Sequence, residues 1–207
     1  MLVDLTVRDY LDQLASGAPT PGGGAAAALT GAQGAALVSM VCNLTIGKKK
    51  YADVEEDMKA VLQKSEALRA KLTDLIDEDA AAFDKVSEAY GMPKSTDEEK
   101  AARRAAIQEA LKIAEAVPMR TVEACLDVIR LAIIAAEKGN KNVVSDAAVA
   151  GILGHAGLLS AADNVRINLN LIKDEAFVTQ ERQKLDEFLQ AAAEAMQALE
   201  KALAGKL

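Results

Sequence analysis

From Gly17 to Gly47 the chain carries no charged residue. The run opens on Ala18-Pro19-Thr20-Pro21-Gly22-Gly23-Gly24 and closes on Ile46-Gly47-Lys48-Lys49-Lys50-Tyr51. A small-residue helix of this kind can be buried on nearly all sides if other helices surround it. Its two ends are then free to handle an anionic ligand. Length alone also suits a bilayer span. Alanine supplies little transfer energy, however, and Thr30, Gln33, Ser39, Asn43 and Thr45 interrupt the run. A helix buried in a soluble bundle is therefore favoured over a membrane helix.

The 207 residues suit one domain, and the absence of an internal repeat or long polar linker agrees with that. Aromatic residues make up only 3% of the chain, so its core must be built from Ala, Leu, Val and Ile. Such a composition favours helices in close contact. The net charge of −7 argues against a nucleic-acid partner, which needs a basic face. An anionic small molecule would have to be drawn in locally, and Lys48-Lys49-Lys50 is the only lysine triple. Cys42 and Cys125 occur without a CxxC, which gives no disulfide scaffold, and one histidine makes a zinc site improbable. The first ten residues lack the basic and apolar regions of a signal peptide, so a cytoplasmic protein is expected.

Turn and capping signals divide the chain into helices. Thr6 to about Ala15 reads as a short amphipathic helix capped by Thr6, with Asp9 in the reciprocal place. The uncharged helix follows from about Gly24 to Thr45. A third runs from about Val54 to Tyr90 on leucine and isoleucine spacings near three and four. Gly91 to Lys94 stops it, and Ser95-Thr96-Asp97-Glu98-Glu99 starts another that is expected to end near Ala116. Pro118 then suits the first turn of a further helix ending at Lys138-Gly139. Ser145 or Asp146 is expected to cap a second charge-poor helix, Ala147 to Ala162. Asp174 begins the last. No segment shows the period of two of a strand, so the expected fold is all-α, a helical bundle with a central charge-poor helix. Two nearly charge-free helices suggest a ringed central helix or a homodimer interface.

Several residues stand out chemically. GxGxxG and GxxxxGK[ST] are both absent, so the triple glycine is neither a dinucleotide fingerprint nor a P-loop. It reads equally as a polar-ligand site at a helix N-terminus or as a tight turn that allows close packing. The lysine triple either offsets a helix dipole in solvent or turns one ammonium inward. Asp79 and Phe83, four apart, share a helical face. They form either a solvated stripe or a carboxylate beside a ring, suited to a flat amino-bearing heterocycle. Asn140, Asn142, Ser145 and Asp146 form a polar knot that capping partly explains. Asn164 and Asn168 follow a long apolar run, where amides need a ligand or a buried network. His155 has no partner in sequence and reads as a packed core residue.

Taken in order, Pro19-Thr-Pro-Gly-Gly-Gly24, Gly34-Ala-Ala-Leu-Val-Ser-Met-Val41, Leu44-Thr-Ile-Gly-Lys-Lys-Lys-Tyr51 and Asp79-Ala-Ala-Ala-Phe83 resemble the cyclodeaminase/cyclohydrolase family. Pro93 to Lys100, Ser145-Asp146, Asn164-Val-Arg-Ile-Asn-Leu169 and Asp174-Glu-Ala-Phe177 fit it too, so the resemblance spans nearly the whole chain. That family includes the cyclodeaminase part of formiminotransferase-cyclodeaminase and the stand-alone methenyltetrahydrofolate cyclohydrolases of one-carbon metabolism. Ala25 stands where the family often has Ser, which removes one possible hydroxyl contact, and Ser95 where it often has Asn.

The resemblance implies an all-helical homodimer that binds a tetrahydrofolate and needs no metal or redox cofactor. It implies Asp79 as general base or orienting acid, Lys49 as its electrostatic partner, and Asp146 and Gln108 orienting substrate or water. The substrate-binding residues it implies are Pro21, Gly22, Gly23, Gly24, Lys48, Lys50 and Tyr51. Phe83, Asn140, Ser145, Asn164 and Asn168 complete that set. Two reactions are available: hydrolysis of 5,10-methenyltetrahydrofolate to the 10-formyl compound, or loss of ammonia from 5-formiminotetrahydrofolate. The chain shows no transferase segment, which favours the cyclohydrolase. A non-catalytic helical dimerisation module is the rival from another class.

Overall fold

The computed structural model describes residues 1–207, which form six α-helices and no strand. They are α1 (Val7–Leu14), α2 (Gly23–Asn43), α3 (Glu55–Gly91), α4 (Asp97–Lys138), α5 (Val144–Leu169) and α6 (Glu175–Leu203). Short 3-10 turns occupy Leu2–Asp4, Lys49–Val54 and Lys141–Val143. Local chemistry sets most of the starts. Thr6 Oγ1 accepts from Asp9 N at 3.1 Å to cap α1. Thr96 and Glu99 exchange hydrogen bonds in a capping box at the head of α4, and Asp174 accepts from Phe177 N to cap α6.

Two expected helix boundaries differ in the structure, each for a physical reason. The helix expected to stop near Ala116 and restart at Pro118 is one continuous helix, α4, with Pro118 inside it. A proline there has no N–H for the carbonyl four residues back, Ala114. Asn168 Nδ2 supplies the missing donor to Ala114 O at 3.1 Å, reaching across from α5. Buried side chains on both sides of the proline, among them Leu111, Val122 and Leu126, hold the two halves in one core. The second correction concerns α5, which neither Ser145 nor Asp146 caps. The preceding 3-10 turn is capped instead, by Asn140 Oδ1 accepting from Asn142 N at 3.1 Å. Ser145 and Asp146 fall in the first turn of α5, where the Asp146 charge favours the positive end of the dipole. His155, expected in the core, is only half-buried.

Small residues decide how closely the helices pack. α2 contacts α3, α4 and α5. It runs antiparallel to α5: Gly23 faces Asn164, Gly34 faces Ala150 and Gly154, and Gly157 faces Ala27 and Gly31. A Cβ at Gly34 would sit 2.8 Å from the Ala150 carbonyl oxygen, so any larger residue would force these helices apart. α3 is also antiparallel to α2, with Ser39 and Ser65 hydroxyls bonded at 2.8 Å. One core cluster gathers Leu72, Leu111, Leu126, Leu158 and Leu169; a second gathers Val38, Met58, Val61 and Leu199. Each such leucine contributes about 1.5–3 kcal/mol on burial. By length and composition α2 and α5 could each cross a membrane, and in α5 only 44% of the most apolar window is buried.

Candidate active site

The N-terminus of α2 has a glycine cap, Gly22, with no side chain to accept its free N–H groups. Asp79 of α3 fills that role from across the bundle: Oδ2 accepts from Ala25 N at 2.9 Å. The triple glycine makes the approach possible. A Cβ on Gly24 would lie 2.0 Å from Asp79 Oδ1, and one on Gly23 would lie 3.2 Å from Asn164 Nδ2. The helix end that the sequence offered to a ligand is thus occupied by the protein's own carboxylate.

Asp79 also opens onto a cavity of about 590 Å³, within the range of small-molecule sites. Phe83 and Tyr90 of α3, Leu111 of α4, Ile167 of α5 and Leu171 of the α5–α6 connection provide apolar walls. Gly22, Gly23, Asn164 and Asn168 provide the polar edge beside Asp79. No lysine or arginine lines it. Burial pushes the Asp79 carboxyl above the ordinary aspartate range, and the Ala25 amide pulls it partly back. Tyr10 of α1 is buried nearby with an unpartnered hydroxyl, and its own titration is raised by burial and by the Asp79 charge.

The residues singled out in the sequence fall into two groups. Gly22, Gly23, Asp79, Phe83, Asn164 and Asn168 line the cavity. Pro21 and Gly24 adjoin it in sequence, and Gly24 packs on the carboxylate. Asn164 Nδ2 bonds its own helix at Ser160 O, and Asn168 is committed to the Pro118 defect. Gln108 is outside the cavity lining: its amide clamps the α5–α6 connection through Leu171 O and Lys173 N, and so fixes the rim.

The second group lies beyond the other end of α2. Lys48, Lys49 and Lys50 are exposed and free of ion pairs, and Lys50 sits over the Tyr51 ring. Asn140 is buried and ties this end together, donating to Leu44 O and accepting from Asn142 N and the Tyr51 hydroxyl. Ser145 and Asp146 stand beside this knot. The 21 residues of α2 separate the groups by about 30 Å. Within one chain, Lys49 therefore does not share a cavity with Asp79. Sequence reading also missed the cavity walls Tyr90, Leu111 and Leu171, which look like ordinary helix-face residues until three helices converge.

Comparison with known proteins identifies the family. A sequence profile of the family described as formiminotransferase-cyclodeaminase matches residues 6–187. A methenyltetrahydrofolate cyclohydrolase of Methylorubrum extorquens is 59% identical over 90% of both chains. The formimidoyltransferase-cyclodeaminase of Sus scrofa is 37% identical over 92% of this chain, which spans only 35% of that longer protein. A solved structure, the formiminotetrahydrofolate cyclodeaminase of Thermotoga maritima, superposes with a TM-score of 0.89 at 38% identity. It covers 99% of this chain and 98% of its own. The chain belongs to the formiminotransferase-cyclodeaminase family.

Proposed function

We propose that the protein is a methenyltetrahydrofolate cyclohydrolase, converting 5,10-methenyltetrahydrofolate and water to 10-formyltetrahydrofolate. The observation that carries this reading is the 59% identity, along nearly the whole chain, to a protein of that name. The geometry supplies a mechanism. The apolar walls and amides suit a flat pterin, and Asp79 places a negative charge where the cationic amidinium carbon must sit. Asp79 takes a proton from water as its oxygen adds to that carbon, between N5 and N10. The N5–carbon bond of the tetrahedral adduct then breaks and the carboxyl returns its proton to N5. The remaining hydroxyl proton leaves to solvent as the formyl group forms on N10. A carboxyl raised above the usual range is a stronger base for the first step.

Several further features belong to this proposal. We read residues 1–207 as one domain built around the charge-poor α2, assembling as a homodimer in the cytoplasm. Support for the dimer comes from the apolar residues that α5 leaves exposed, including Val149 and Ile152 at 44% and 56%. The same face explains two bilayer-length helices without a membrane. The substrate is the tetrahydrofolate itself; we assign no metal or redox cofactor and no nucleic-acid partner. The second reading, cyclodeaminase, is favoured by the likeness to the Thermotoga maritima structure. Loss of methenyltetrahydrofolate absorbance above the buffer rate supports the first, and ammonia release from the formimino compound supports the second. Asp79→Asn should lower cyclohydrolase turnover by about 100-fold or more. Full turnover in a folded Asp79→Asn protein would remove the base assignment.

A further inference from the structure

Tyr10 of α1 is 7% exposed, and its hydroxyl has no hydrogen-bond partner in the protein. A phenol that gives up water without gaining a bond is costly to bury, so its place needs a reason. The packing of α1 supplies the place. Gln13, one turn further along the same face, donates to Thr20 O in the loop that leads into α2 at 3.2 Å. Tyr10 itself lines a groove with Leu29 of α2 and Ile76 of α3. Leu29 stands one turn after Ala25 and Ile76 one turn before Asp79, and α2 and α3 run antiparallel. Groove and loop therefore lie on opposite sides of the Ala25–Asp79 hydrogen bond. Tyr10 is placed between them, at the height of the carboxylate, with its hydroxyl turned inward from solvent.

Asp79 spends Oδ2 on the Ala25 amide and receives no protein donor at Oδ1. Burial raises the Tyr10 titration and the Asp79 charge raises it further, so the phenol remains a donor at any pH at which the enzyme works. Other charges around the carboxylate are directed elsewhere. Asp77, which has an unpartnered oxygen of its own, lies about 200° around α3 from Asp79 and accepts from Leu2 N. Glu78 pairs with Arg120 of α4, and Asp74 is exposed. On α1, Arg8, Asp9 and Asp12 are exposed; α2 carries no charge, and α5 presents the neutral Asn164. Tyr10 is thus the one polar group of α1 that faces the base from inside the protein.

We propose that Tyr10 acts through Asp79: its hydroxyl donates to one buried water, and that water donates to the free oxygen of the carboxylate. A single water meets the needs of both groups, which do not bond each other directly. A donor on the carboxylate favours its charged form, the form that takes the proton from the attacking water. Tyr10 is a positioning residue: it places that donor and touches no reacting atom. This rests on the cyclohydrolase reading above and adds a residue to it.

Tyr10→Phe tests it, because the ring and its packing stay while the donor goes. Loss of the donor should move the acid limb of kcat/KM to higher pH by about one unit. The ratio of wild-type to variant kcat/KM should therefore grow as pH falls, reaching about 10-fold below both limbs. A profile that superimposes on the wild type's shows that only the ring matters and overturns the proposal. A uniform loss with an unmoved limb overturns it as well.

A second measurement needs no substrate. In protein labelled with 13C at the aspartate carboxyls, the Asp79 resonance is identified by its loss in Asp79→Asn. Its titration midpoint should lie higher in Tyr10→Phe than in the wild type by the same shift. An unmoved midpoint refutes the link between Tyr10 and Asp79 whatever the enzyme acts on. A midpoint that moves in a protein turning over neither folate compound refutes the functional reading alone.

Discussion

The contact between Gly24 and Asp79 makes a prediction that changes sign with its partner. A Cβ on Gly24 would lie 2.0 Å from Oδ1 and 2.5 Å from Cγ of Asp79, far inside van der Waals contact. In Gly24→Ala the carboxylate must swing away and release the Ala25 N–H it now holds at 2.9 Å. Overpacking costs about 1–3 kcal/mol, and losing a charge-assisted hydrogen bond costs about 1.5–3 kcal/mol. The two overlap, because moving the carboxylate relieves the clash, so about 2–4 kcal/mol is expected in total. In an Asp79→Ala background the three atoms nearest that Cβ, all from the Asp79 carboxylate, are gone. Alanine then gains up to about 1 kcal/mol over glycine inside the helix. Urea unfolding of the four proteins at one fixed subunit concentration measures the cycle. Gly24→Ala should destabilise the wild type and leave the Asp79→Ala protein unchanged or slightly more stable. Equal costs in both backgrounds would show that the glycine does not exist to admit the carboxylate.

Three further outcomes are expected. Glu115 is only 1% exposed with an unpartnered Oε1, and burial, reinforced by the Glu181 charge and opposed by Lys184, pushes its carboxyl up to about 7. A raised carboxyl favours the folded state while protonated and loses that advantage as pH rises through its folded value. Wild-type stability should thus fall by up to about 3 kcal/mol between about pH 5 and pH 8, and Glu115→Gln should flatten that slope in chemical denaturation. Asn168→Ala should cost about 1–3 kcal/mol by orphaning the Ala114 carbonyl. In a Pro118→Ala background the restored N–H should reduce that cost, and an unchanged cost would sink the assigned role. Finally, kcat/KM should fall on acidification through a value above that of an ordinary aspartate, because Asp79 works ionised and its carboxyl is raised. An acid limb at or below the ordinary aspartate range would contradict this.

Local signals in the chain carried the helices whose caps are close in sequence. Thr6 with Asp9, Thr96 with Glu99 and Asp174 with Phe177 are each three residues apart and were legible as starts. The errors came from partners far along the chain. Pro118 reads as a helix start because its rescuer, Asn168, donates to a carbonyl 54 residues away in sequence. The carboxylate that caps α2 lies equally far from the glycines that make room for it. Asp79, Phe83 and Asn164 stand out in the sequence because acids and amides beside apolar runs demand an explanation, and all three line the cavity. Asp79 and Lys49 stand far apart within one chain for a simpler reason. A motif at each end of an uncharged run looks adjacent on the page, and the rise of 21 helical residues is what keeps them apart.

The carboxylate of Asp79 gives one oxygen to an amide of another helix and keeps the other without a donor from the protein. That bond fixes the torsion of the side chain, so the free lone pairs point in a single direction rather than sweeping the chamber. Aim is thereby set by the docking of two helices, not by a dedicated neighbouring side chain. Mutational drift in the Pro-Gly loop would consequently be felt as lost reactivity even where the protein still folds, and such variants could imitate a catalytic lesion while every reacting atom is present.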